Sequence, residues 1–60
     1  MTASIEDQKY QERLRAGRRA LELAKIYLDD GAPISAAHHL RTAADEFERA
    51  GAIRNAAFTA

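Results

Sequence analysis

Tyr10, Leu14, Gly17, Leu21, Ala24 and Leu28 recur along the chain at alternating steps of four and three residues. That spacing keeps one side of an α-helix apolar over several turns. Ala16, Ala20, Leu23 and Tyr27 form a second apolar line, rotated from the first by roughly 100°. Downstream, Ala36, Leu40, Ala43, Phe47 and Ala50 repeat the pattern, and Ala37, Ala44 and Gly51 make a smaller line beside it. Two amphipathic helices follow from this pattern, each with more apolar surface than one neighbour can cover.

The punctuation sets their limits. Ser4, followed by Glu6 and Asp7, reads as an N-cap with acidic residues in the first turn, where they favour the positive end of the helix dipole. Helix formers then run from Ile5 to Asp29, with Gly17 the single interior weak point. Asp29-Asp30-Gly31 ends the run, with Gly31 in the left-handed position, and the two aspartates are expected to serve the turn and the start of the next helix. Pro33 is suited to the first position of a second helix, where its missing N–H costs nothing. That helix holds its period to Ala50. Gly51 either ends it or sits inside a longer helix reaching about Phe58, and the continuous reading is preferred. The fold class is all-α: one domain, residues 1–60, forming an antiparallel helical hairpin of residues 5–29 and 33–50 or 33–58.

A chain of 60 residues buries only about 60% of its unfolded surface and is marginal without support. Cysteine is absent, so no disulfide supplies that support. Tyr10, Leu14, Leu21, Leu28, Leu40 and Phe47 are expected to form the core within the chain. Ala16, Ala20, Leu23 and Tyr27 are the expected association surface, because leaving residues as large as Leu23 and Tyr27 in water forgoes about 1.5–3 kcal/mol each. Homodimerisation into a four-helix bundle is the first expectation, with docking on a larger protein the other form of the same need. Tyr27→Ala is expected to weaken assembly more than helicity.

The residues Leu23, Ala24, Tyr27, Gly31, Ala36, Leu40 and Ala43 resemble the signature of a single tetratricopeptide-type repeat over residues 20–43. The resemblance implies small residues at the helix crossing and a role in protein binding. Ala20 stands where that family prefers a large aromatic, Glu48 where it often has proline, and no second repeat is present. In length and layout the chain is also similar to Rop-type proteins, whose two near-equal helices dimerise into a four-helix bundle that binds RNA. The cadence of Leu40 to Phe47 is similar to the second helix of that family.

Charge adds little attraction of its own. Nine basic and nine acidic residues cancel, with residues 1–28 at +2 and residues 29–60 at −2. Arg15, Arg18, Arg19 and Lys25 share the outer side of the first helix and are the candidate nucleic-acid face, giving a Rop-like RNA-binding regulator as the alternative function. Glu12 and Glu22 interrupt that face, and no aromatic residue on it is placed for base stacking. Adjacent His38 and His39 point about 100° apart, so they do not chelate one metal ion. Ser35 is within reach of both, yet the orienting group, oxyanion hole and pocket of a hydrolase have no candidates. No cofactor, metal or catalytic residue is assigned. No apolar run approaches the roughly 18 residues of a membrane span, and the first residues do not read as a signal peptide. The sequence therefore predicts a small cytoplasmic protein-interaction module, an adaptor or inhibitor, that acts through a helical face.

Overall fold

The structure, a computed structural model, describes residues 5–59. Two helices make it up, α1 (Ile5–Asp29) and α2 (Pro33–Thr59). Gly51 lies inside α2, so the second helix is continuous. Ser4 lies outside the described residues, and so does its expected cap.

The turn is closed by backbone alone. The Gly31 N–H donates to the Leu28 carbonyl at 3.1 Å, and the Ala32 N–H donates to the Tyr27 carbonyl at 2.8 Å. These are the paired bonds of a Schellman motif, which require a left-handed residue just past the helix end. Gly31 supplies it with φ = 75°. Pro33 opens α2, whose first bond runs from the Ala36 N–H to the Ala32 carbonyl at 3.0 Å. Asp29 and Asp30 make no side-chain hydrogen bond or ion pair, which corrects their expected part in the turn. They sit at the negative end of α1, where a carboxylate gains nothing from the dipole.

The two helices pack antiparallel into a slab whose Cα atoms extend 44 × 22 × 10 Å. The short dimension is that of a single layer. Its core is made of small residues: Gly17, Ala20 and Ala24 from α1 meet Ala36, Ala43 and Ala50 from α2. Ala24, Ala36 and Ala50 are each 1% exposed, and no large side chain among the described residues is fully buried. The three alanines of α2 are spaced by seven, as are Gly17 and Ala24, which is the repeat of a left-handed coiled coil. Small residues at every such position let the two backbones come close together.

This overturns the expected core. Leu28 is 55% exposed, Leu40 43% and Phe47 36%, while Tyr10, Leu14 and Leu21 are only half-buried. The reason is geometric. These side chains flank the line of closest approach, and a single layer of two helices has no second layer above to enclose them.

Candidate functional site

Contacts between the helices show which residues share a side of the slab. On one side, Arg13 Nη1 donates to both carboxylate oxygens of Glu46, at 3.1 and 3.3 Å. On that same side the Tyr27 ring stacks on His39, with centroids 5.1 Å apart and planes 7° from parallel. Glu46 and His39 are seven residues apart and therefore lie on one line of α2. On the other side, the Phe47 ring lies on Gly17 and the Arg54 guanidinium lies over the Tyr10 ring, 5.4 Å from its centroid. Phe47 and Arg54 are again seven apart, as are Gly17 and Tyr10.

The second side is apolar. Leu14 and Leu21 stand one turn either side of Gly17 on α1, and Leu28 follows seven residues on. Leu40 and Phe47 face them from α2, with Ala37, Ala44 and Gly51 beyond. The result is a face built on Leu14, Leu21, Leu28, Leu40 and Phe47, with none of the described residues forming a layer above it. Leu28, Leu40 and Phe47 are its exposed large side chains, and an open apolar face of this kind is what interaction sites use.

The residues expected at the association surface are divided by the fold. Ala20 is buried in the seam between the helices, which removes it from any docking edge. Ala16 is half-buried, and Leu23 is exposed on the Tyr27 side of the slab, opposite the leucine face. Tyr27 is half-buried against His39 and is occupied in holding α1 to α2. His39 is itself half-buried on α2. Its signal was positional: His39, Glu46 and Ile53 fall three residues after Ala36, Ala43 and Ala50, on the flank of the seam.

Arg15, Arg18, Arg19 and Lys25 are all exposed on α1. Lys25 Nζ is paired with Glu22 at 3.4 Å, and Arg49 with Asp45 at 3.2 Å on α2, as their spacings predict. His38 meets His39 edge-on, with centroids 5.4 Å apart. No group of three or more His, Cys, Asp or Glu side chains that could hold a metal ion occurs among the described residues. None of the described helices is long and apolar enough to cross a membrane. A shallow surface depression is lined by Asp7, Gln8, Gln11 and Arg15.

No protein family, curated protein or solved structure matches the chain.

Proposed function

We propose that this chain is a small protein-interaction module that acts by placing its leucine face against another helical surface. The observation that carries the reading is the separation of small from large apolar residues. Alanine and glycine hold the hairpin together, and the leucines and Phe47 are left on one open side. Each of these side chains is worth about 1.5–3 kcal/mol if fully buried, so a partner that covers the face gains what the hairpin alone forgoes. The role is one of binding rather than catalysis, in keeping with an adaptor or inhibitor.

The basic side of α1 lends less support to an RNA-binding role. Its cations are interleaved with Glu12 and Glu22, and Lys25 is already engaged by Glu22.

A photoreactive phenylalanine analogue placed at Leu40, in the cells that make the protein, tests the reading. It should give a covalent adduct with a protein, whether another copy or a different chain. The same group at Ile34, which is 87% exposed and lies on the opposite side of α2 from the seam, should give none. Absence of any adduct from position 40 would overturn the proposal.

A further inference from the structure

Three glycines punctuate the chain, and two are accounted for within it. Gly17 accepts the Phe47 ring, and Gly31 supplies the positive φ of the turn. Gly51 has neither reason. It lies inside α2, its φ is not positive, and a Cβ built on it meets nothing within 4 Å. A glycine inside a helix costs about 0.5–1 kcal/mol relative to alanine, and nothing among the described residues offsets that cost.

Gly51 is one end of the stripe Ala37, Ala44, Gly51, spaced by seven along the edge of the leucine face. Leu14, Leu21 and Leu28 have the same spacing on α1. The contacts of Gly17 with Phe47 and of Tyr10 with Arg54 fix the relative height of the helices. Leu21 lies four residues beyond Gly17, and Ala44 three before Phe47, so these two share a level. By the same offsets Leu14 is level with Gly51 and Leu28 with Ala37. Three large side chains on one helix therefore stand at the heights of three small ones on the other.

We propose that the leucine face is closed by a second copy of this chain, related by a two-fold axis parallel to the helices. This rests on the reading of the face as an interaction surface. Such an axis preserves height and lays α1 of one copy over α2 of the other. Leu14, Leu21 and Leu28 of each copy then seat on Gly51, Ala44 and Ala37 of the other, and the contact is reciprocal, as a two-fold interface requires. Gly51 is the socket for Leu14, which gives the mid-helix glycine its purpose. All neighbouring helices run antiparallel, as in a four-helix bundle.

Charge agrees with this occupant. Arg18 borders the leucines on α1, Glu48 borders the small stripe on α2, and neither has an ion-pair partner among the described residues. In the proposed arrangement Arg18 of one copy lies beside Glu48 of the other. The competing two-fold, perpendicular to the helices, stacks α1 on α1 about Leu21. It sets the leucines of α1 against one another and leaves Gly51 opposite Ala37 of the other copy, with no large side chain to fill the space.

Sedimentation equilibrium, with helicity followed in parallel, tests the proposal. The wild-type chain should have twice its monomer mass. Gly51→Leu should raise the dissociation constant at least tenfold while helix content is kept or increased, because leucine is the better helix former and meets nothing in its own chain. Gly51→Leu combined with Leu14→Ala should restore the dimer. A disulfide test uses the absence of native cysteine. Leu21→Cys mixed with Ala44→Cys should cross-link, and Ala44→Cys alone should not. A monomeric wild type, a dimer indifferent to Gly51→Leu, or efficient cross-linking of Ala44→Cys with itself would overturn this arrangement. If the chain is monomeric but position 40 still captures a different protein, the interaction reading stands and self-association fails.

Discussion

The ring of Phe47 rests on the bare backbone of Gly17, so close that a Cβ at residue 17 would fall 2.5 Å from Phe47 Cε1 and 2.8 Å from Cδ1 and Cζ. Neither residue is explained without the other. Glycine costs helix stability, and in return the ring spans the seam from α2 and touches α1 directly.

The first prediction follows from that pair. Gly17→Ala improves helix propensity by about 1 kcal/mol, but its methyl group displaces the Phe47 ring. In the wild-type background the substitution should bring no gain in stability. After Phe47→Ala the same substitution should stabilise by about 1 kcal/mol, since only the propensity term remains. Urea unfolding of the four variants, at one protein concentration to hold any assembly constant, measures the coupling. Equal effects in both backgrounds would show that the ring does not occupy the position.

The alanine seam should resist enlargement. Ala43 is buried midway along α2, and leucine there has no space unless the helices separate. Overpacking of this kind costs about 1–3 kcal/mol. Ala43→Leu should therefore lower the thermal midpoint, even though leucine is the more apolar residue. An unchanged midpoint would mean that the helices are not in close contact at that level.

The helices and the turn were legible in the sequence for a clear reason. Helix formers, Gly31 and Pro33 act through local backbone geometry, which does not depend on what packs above them. The core is less legible because side-chain size is a poor guide to burial in this fold. By size Leu28, Leu40 and Phe47 belong inside and Ala20 at an outer edge, and the structure reverses both. In a hairpin of two helices the line of closest approach is instead set by the smallest residues at heptad spacing. Ala36, Ala43 and Ala50 carry that spacing, and the large residues are displaced to the flanks. The leucine face has the same origin, since its members are the large residues displaced from the seam. The Tyr27–His39 stack was not legible because it depends on the vertical offset of the two helices, which the chain does not state locally.

The turn offers a clean backbone experiment. Gly31 has φ = 75° with nothing within 4 Å of a built Cβ, so a substitution there meets no side-chain obstacle. Gly31→Ala should cost about 1 kcal/mol from the left-handed conformation alone. Gly31→Asn should cost less, because asparagine tolerates that region. Thermal unfolding of both variants should place asparagine between glycine and alanine. If alanine matched glycine, the residue would not be held at positive φ.

The Arg13–Glu46 pair should contribute modestly. The Glu46 side chain is 13% exposed, but that of Arg13 is 42% exposed, so water and salt screen the contact. A value of about 0.5–1 kcal/mol is appropriate to such a pair. Glu46→Gln should cost this much at low ionic strength and less at 1 M salt. The exchange of both charges, Arg13→Glu with Glu46→Arg, should recover part of the loss. A cost independent of salt would point to packing of the Glu46 stem rather than to charge.

Tyr27 provides the sharpest contrast between the two sides of the slab. It was expected to face a partner, and the structure stacks it on His39 of the same chain. Its truncation should therefore act on the hairpin. Tyr27→Ala should lower the stability of the chain, with an interaction energy to His39 of about 0.5–1.5 kcal/mol in a double-mutant cycle with His39→Ala. Leu21→Ala should act in the opposite sense, weakening association more than hairpin folding, because Leu21 lies on the open face. Sedimentation and unfolding of the two variants side by side separate these roles. A Tyr27→Ala chain that keeps its stability but loses association would return Tyr27 to the docking surface and count against the leucine face.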